Sequence, residues 1–335
     1  MNNQKYTVLV TGGAGFIGSN FIRRIIRNRP NAQVINLDCL TYAGNLNNLR
    51  DLAANRRYSF IRGDIREQSV VATAMKKCDC VVHFAAESHV DRSISDSSEF
   101  VSTNVLGTQN ILEHARQLGI RMVHVSTDEV YGSLPLDAPE LKFRENSAIE
   151  PNSPYAASKA SADLLVRAYH ETHGLDVMTT RCSNNFGPYQ FPEKLIPFFV
   201  SRLADGLNVP VYGDGQNVRD WIHVEDHCEA VLAVLERGTA GETYNVGANN
   251  ELTNIELTTA ILEYLGLDSS RITYVKDRLG HDRRYAIDSS KIERELGWVA
   301  KRSKGPEALR KTIQWYLDNE AWLDELKTRQ QSKSA

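Results

Sequence analysis

Three features of the chain predict an α/β fold built on a doubly wound parallel sheet, with a smaller α+β lobe behind it. The apolar run Tyr6–Val10 leads directly into Thr11-Gly12-Gly13-Ala14-Gly15-Phe16-Ile17-Gly18 and then into an amphipathic stretch from Ser19 to Asn28. That succession of strand, glycine turn and helix is the context of a dinucleotide site. Short β-rich apolar runs then alternate with helical stretches as far as Cys182, with no repeat period. Beyond Cys182 the chain becomes turn-rich and amide-rich, which marks the second lobe. The lobes are expected at 1–182 with a returning segment near 222–247, and at 183–221 with 248–330.

In the first unit, Gly12 permits a tight turn, Gly15 lets the backbone approach a pyrophosphate, and Gly18 lets helix and strand pack closely. The free N–H groups at the helix start suit phosphate oxygens. Gln33–Asp38 is the second strand, and Asp38 at its end is placed to accept hydrogen bonds from ribose hydroxyls. No Arg or Lys follows until Arg50, so nothing nearby favours a 2′-phosphate, and NAD is expected over NADP. Tyr58–Gly63 is the third strand, with Asp64 and Ile65 as an adenine contact. Cys80–Ala85 is the fourth, and Ala86-Glu87-Ser88-His89 leaves the sheet beside the glycine loop. His83 reads as a core histidine, and His89 faces the loop side where substrate would lie. Glu99–Leu118 reads as one long helix.

The fifth strand, Met122–Val125, delivers Ser126-Thr127-Asp128-Glu129-Val130-Tyr131-Gly132 to the end of the sheet where open α/β folds bind ligands. Adjacent residues on an extended chain point opposite ways, so two carboxylates in a row serve one substrate only if the chain turns there. Gly132 and Leu134-Pro135 permit the turn. Residues 134–152 read as a surface loop over the site. A helix then starts at Pro154, capped by Ser153 or Asn152, and runs to about His173. It sets Tyr155 and Lys159 four apart on one face. Bringing a phenol from about 10 to about 7 needs roughly 4 kcal/mol. An ammonium at about 4 Å supplies that order of energy. Asp176–Cys182 is the sixth strand.

In the second lobe Arg219, beside Asp220 and Trp221, suits a diphosphate, because a guanidinium grips oxyanions with two donors. Pairing with Asp220 is the plainer alternative. His223, Glu225 and His227 lack a third ligand position and a zinc-protease pattern, so no metal is expected. The basic run Asp277–Tyr285 has cations enough for one anionic ligand. Net charge is −3 and pI about 6.3 over 335 residues, which argues against nucleic-acid or bilayer binding. No apolar run reaches membrane-span length, and Met1–Lys5 carries no leader pattern, so a cytoplasmic protein is expected. Cys39, Cys78, Cys80, Cys182 and Cys228 read as free thiols.

Together these motifs carry a resemblance to the extended short-chain dehydrogenase/reductases, and within them to the nucleotide-sugar 4,6-dehydratases. It spans about residues 5–320. It rests on Thr11–Gly18, Leu37-Asp38 with Leu40–Asn45, Ala85–Ser93, Ser126–Gly132, Tyr155 with Lys159, Phe191–Pro197, Asn217–Trp221 and Gly280–Asp288. Tyr-x3-Lys marks only the superfamily, whereas the Asp128-Glu129 pair is more specific. The resemblance implies NAD held by Gly12, Gly15, Phe16, Ile17, Gly18, Asp38, Cys39, Leu40, Thr41, Asp64, Ile65, Phe84, Ala85, Ala86, Glu87, Ser88, Thr103, Tyr155, Lys159 and Asn185. It implies a nucleotide-sugar held by Ser88, Thr127, Asn184, Lys194, Leu195, Pro210, Val211, Tyr212, Arg219, Asn254, Asp277, Arg278, Leu279, Gly280 and His281.

The chemistry implied is internal oxidation, water loss and re-reduction of dTDP-glucose, with UDP-glucose or a 4-epimerase reaction as alternatives on the same scaffold. Tyr155, tuned by Lys159 and the nicotinamide's positive charge, takes the 4-hydroxyl proton, and Thr127 bonds near O4. Glu129 removes the C5 proton and Asp128 protonates the leaving 6-hydroxyl. A homodimer through helices 99–118 and 154–173 is implied as well. Leu279 stands where Pro is usual and Cys39 where Lys is common, and Leu279 is expected to loosen the loop beneath the diphosphate.

Overall fold

The computed structural model describes residues 5–334, with side chains through residue 328. Its strands in chain order are β1 (Tyr6–Thr11), β2 (Ala32–Asp38), β3 (Tyr58–Arg62), β4 (Cys80–His83), β5 (Arg121–Thr127), β6 (Val177–Cys182), β7 (Asn184–Phe186), β8 (Val209–Tyr212), β9 (Val218–His223), β10 (Thr243–Val246), β11 (Glu251–Thr253) and β12 (Ile272–Val275). The helices are α1 (Phe16–Asn28), α2 (Gln68–Met75), α3 (Val90–Ser95), α4 (Ser98–Phe100), α5 (Thr108–Leu118), α6 (Pro154–His173), α7 (Leu195–Ala204), α8 (Val224–Arg237), α9 (Asn254–Tyr264), α10 (Ser290–Leu296), α11 (Pro306–Asp318) and α12 (Glu320–Ser334).

The main sheet is parallel, in the order β10-β6-β5-β4-β1-β2-β3. Its strands are apolar on both faces because helices cover both, and Val8, Leu9 and Val10 are fully buried. One core contains Val8, Val10, Phe21, Ile25, Val231 and Tyr244, and the other contains Leu9, Leu37, Val81, Ile111, Met122 and Val177. The chain leaves β1 toward β2 and β3 on one side, and places β4, β5 and β6 on the other. The crevice between the ends of β1 and β4 is therefore the switch point where such sheets bind ligands. The seventh strand, β10, returns from the second half of the chain and pairs with β6.

The smaller sheets are β11-β9-β7 and β12-β8, packed with α7, α9 and α11 around Phe199, Trp221, Ile261 and Tyr316. The segment 290–298 belongs to the first core: Ile292, Leu296 and Trp298 pack with α1 and α8 residues there, although the expected boundary put it in the smaller lobe.

Two local expectations need correction. The helix expected over 99–118 is not uniform: α4 passes through a π-helical stretch, Val101–Gly107, before α5. The wider turn lets Asn104 face inward, where it brackets both backbone groups of Glu87 and donates to Ser158 Oγ at 2.8 Å. Residues 134–152 do not cover the site. Phe143 stacks on Tyr131 at 5.1 Å and bridges to Ile287, while Arg284 donates to the carbonyls of Ala138, Pro139 and Leu141. Those bonds hold the segment against 284–288, and none of its residues lines the cavity.

Candidate active site

A cavity of about 750 Å³ opens at the switch point and extends into the smaller lobe. At one end Gly12 has φ +69°, and a Cβ there would meet Ala85 N at 2.7 Å. A Cβ on Gly18 would collide with the Gly12 carbonyl. Gly15 has only Gly12 O nearby, at 3.3 Å, and no side chain caps α1 there. The first amides of α1 are thus open to an anion. Asp38 accepts from Ala14 N at 2.9 Å and Leu40 N at 2.8 Å, which fixes the glycine turn against β2. A carboxylate has about four acceptor positions, so two remain for ribose hydroxyls. This half fits a dinucleotide.

Cys39, Thr41, Asp64, Ile65, Phe84 to Ser88, Thr103 and Asn185 line the same cavity, with Phe16 and Ile17. Leu40 is not among the lining residues; its φ is +58° and its N–H donates to Asp38. Asp64 is gripped by Arg66, a cavity residue the sequence reading passed over.

The expected turn after β5 is a 3-10 turn, Asp128–Tyr131, ending at Gly132 with φ +87°. Thr127 Oγ1 accepts from Glu129 N at 3.3 Å and so starts it. The turn brings both carboxylates into the cavity wall. Asp128 is 1% exposed and its Oδ2 has no partner. Burial, then Glu129 and Asp220, push its carboxyl well above the usual range. Burial raises Glu129 too, but Arg219 and Lys194 oppose the rise.

Ser153 Oγ accepts from Ala156 N at 3.1 Å and caps α6, a bond of about 1 kcal/mol. Asn152 instead donates to Asp282. Tyr155 and Lys159 both face the cavity. The expectation that the ammonium lowers the phenol is not met by the protein alone. Burial, then Glu129, push Tyr155 well above its ordinary value. Lys159 is itself lowered to about 8 by burial, and its Nζ donates to Val125 O at 2.8 Å.

On the smaller-lobe side Asn184, Lys194, Leu195, Pro210, Val211, Tyr212, Arg219, Asn254, Arg278, Gly280 and His281 line the cavity. Arg219 does not pair with Asp220, whose oxygens take the N–H groups of Ala248 and Asn250. It lies 4.2 Å over the Tyr285 ring and donates to Asp282 O. Asp277 and Leu279 fall outside the lining: Asp277 holds His281 at 2.6 Å and Leu279 is 72% exposed. Next to Leu279, Arg278 pairs with Asp91, and both residues line the cavity. Tyr42, Glu193 and Tyr285 line the cavity as well. All three stand in motifs quoted above but carry no spacing rule that singles them out. Tyr42 donates to Glu193 at 3.1 Å. His83 is a core histidine between Thr11 and Thr108. His227 contacts Asn185, and His223 starts α8.

Sheet order, glycine turn and the Tyr155–Lys159 helix at one cavity define an extended short-chain dehydrogenase/reductase. The family described as GDP-mannose 4,6 dehydratase matches over residues 9–311. The dTDP-glucose 4,6-dehydratase of an Actinoplanes species is 52% identical over 321 residues, covering 94% of this chain and 99% of the relative. The chain belongs to this family of nucleotide-sugar 4,6-dehydratases. The dTDP-glucose 4,6-dehydratase of Streptomyces venezuelae, solved with NAD bound, is 53% identical and superposes with a TM-score of 0.92, over 96% of this chain and 99% of that one. A UDP-glucose 4-epimerase of Thermotoga maritima shares the fold, with a TM-score of 0.85 over 93% of this chain and 99% of that one, at 28% identity.

Proposed function

We propose that the chain is an NAD-dependent hydro-lyase that converts dTDP-glucose to dTDP-4-keto-6-deoxyglucose and water. The observation that carries this reading is the acid pair: a buried Asp128 with a free carboxylate oxygen stands next to Glu129, in the cavity that also holds Tyr155 and the glycine turn. An epimerase needs Tyr155 but has no use for two further acids. The similarity to dTDP-glucose 4,6-dehydratases solved with NAD supports the cofactor and the sugar.

The pyrophosphate of NAD would lie on the first amides of α1, with Asp38 at the adenosine ribose and Ile65 at adenine. The nucleotide-sugar would lie between Lys194, Arg219, Asn254, Arg278 and His281. NAD, when bound, accepts the C4 hydride, returns it at C6, and adds positive charge near Tyr155. Tyr155 takes the 4-hydroxyl proton, and Thr127 holds O4. The 4-ketone acidifies the C5 proton, which Glu129 removes as a carboxylate. Asp128, whose carboxyl burial pushes well above its usual range, gives its proton to the departing 6-hydroxyl. One water leaves and no net oxidation occurs.

The dinucleotide lobe comprises 1–182 and 222–247, joined by the packing of 290–298; the sugar lobe takes 183–221 and the rest of 248–330. The enzyme is a homodimer through α4–α5 and α6, where Val101, Leu106 and Leu164 are each more than half exposed. It works in the cytoplasm, in keeping with five unpaired cysteines and, among the described residues, no helix long and apolar enough to cross a membrane.

The test is incubation with dTDP-glucose and UDP-glucose in separate reactions, followed by mass spectrometry. Loss of one water from dTDP-glucose, much faster than from UDP-glucose, is expected. An isomeric product of unchanged mass would replace this reading with the epimerase one.

A further inference from the structure

Tyr155, Lys159 and Asp163 follow one another at four-residue spacing along one side of α6. The first two reach the cavity, whereas Asp163 points into the protein and is 4% exposed. Its Oδ2 accepts from Arg181 Nε on β6 at 2.8 Å, and Arg181 is itself 7% exposed. The same guanidinium donates to the Tyr131 hydroxyl at 2.9 Å and lies 4.8 Å from that ring's centre. Tyr131 closes the 3-10 turn that holds Asp128 and Glu129, and its hydroxyl donates to Asn245 on β10 at 2.7 Å. One buried chain of contacts thus joins the helix of Tyr155 to the turn of the acid pair. None of Asp163, Arg181, Tyr131 or Asn245 lines the cavity.

We propose that Asp163 is a positioning residue for the dehydration, a reading that rests on the roles assigned above: it is the buried counter-charge of Lys159 and, through Arg181 and Tyr131, fixes the acid pair relative to Tyr155. The groups around Lys159 leave no other candidate among the described residues. Asp163 faces it from α6, Cys182 from β6, His124 from β5 and His83 from β4, with the Val125 carbonyl accepting its hydrogen bond. Burial keeps both histidines neutral, and burial holds the Cys182 thiol up to about 12. Only Asp163 brings a full negative charge, and two buried cations share it. Its Oδ1 lies 3.3 Å from His124 Nε2, so β5, the strand that leads into the turn, packs against the same carboxylate.

Carbon-detected NMR of the lysine ε-carbons tests this, with Lys159 assigned by its loss in Lys159→Met. In the parent enzyme Lys159 should be largely charged at neutral pH and titrate near 8. In Asp163→Asn the midpoint should fall by more than about one unit, and the alkaline limb of kcat should fall with it, while KM for the nucleotide-sugar stays within about twofold. Tyr131→Phe keeps every charge. It should leave the Lys159 midpoint in place and slow water loss about tenfold, with first-turnover C4 oxidation retained. A folded Asp163→Asn enzyme with an unmoved Lys159 midpoint overturns the proposal. If that variant does not fold, a neutral Lys159 in the parent at neutral pH overturns it instead. The titration needs no substrate. A shifted midpoint in a protein that dehydrates no nucleotide-sugar would refute the proposed reaction and leave the counter-charge standing.

Discussion

The Nζ of Lys159 donates to the main-chain oxygen of Val125 at 2.8 Å, which ties the helix of Tyr155 to the strand that delivers Thr127, Asp128 and Glu129. The bond orients the ammonium, but burial lowers it from 10.5 to about 8. Between those values the unfolded chain holds a proton the folded chain has lost, so stability rises with pH across that window. The shift corresponds to roughly 3 kcal/mol. Lys159→Met should abolish this rise, seen as melting curves from neutral to about pH 10 in which the parent gains stability relative to the variant. The same variant should lose about 10²-fold or more in kcat.

Asp128 and Glu129 should fail differently. Glu129→Gln should still oxidise C4, giving reduced-nicotinamide absorbance in a single turnover, but stall before water leaves. Asp128→Asn removes a carboxyl whose folded-state pKa is raised. Such a group destabilises the fold as pH rises above its unfolded value, and the cost is complete above its folded value. Asp128→Asn should therefore melt higher than the parent at neutral pH, by about 1 kcal/mol or more, while kcat falls about 10²-fold. Equal melting of the two proteins would show that Asp128 is not held protonated.

Much of the site was legible because chemistry and spacing coincide in one short stretch. Gly12, Gly15 and Gly18 each do what a strand–turn–helix junction requires, and Thr127-Asp128-Glu129 sits where a strand must end. What stayed illegible depends on side chains meeting across long sequence separations. Arg181 and Tyr131 are 50 residues apart, and Tyr42 and Glu193 are 151 apart, with no local pattern pairing them. The phenol of Tyr155 was only half legible for a related reason: four-residue spacing gives distance along a helix, whereas burial and the neighbouring carboxylates push its proton affinity up in the protein alone. Leu40, Asp277 and Leu279 lie outside the cavity lining, where a left-handed backbone, a hydrogen bond to His281 and an exposed loop tip mark them, and no sequence pattern showed this.

Arg219 is expected to serve both binding and charge. Its guanidinium is fixed by Tyr285 and Asp282 O, and it is the first group opposing the burial of Glu129. Arg219→Gln should raise KM for the nucleotide-sugar about 10- to 100-fold through lost charge-assisted bonds. Without that cation Glu129 is harder to ionise, so the acid limb of kcat should move to higher pH. Arg219→Lys keeps the charge and should restore the limb but not the KM. A KM effect with no shift of the limb would separate Arg219 from Glu129.

Three buried histidines set the acid limit of the fold. Burial lowers His124 to about 4 and His227 to about 3, and takes His83 well below 6.5. Above about 6.5 folded and unfolded chains are alike in these groups. Below it the unfolded chain gains protons that the folded chain refuses, so stability falls as pH falls. From pH 6.5 to about 4.5 His124 and His227 each cost roughly 3 kcal/mol, and His83 adds to the loss in the same direction. His227 Nδ1 lies 2.9 Å from Asn185 Oδ1, a contact that Gln can keep as a donor without taking up a proton. Urea titrations over that window should show the parent losing stability steeply and His227→Gln losing roughly 3 kcal/mol less. An identical slope in the variant would mean that His227 is already charged in the native protein, and that its burial does not govern its proton.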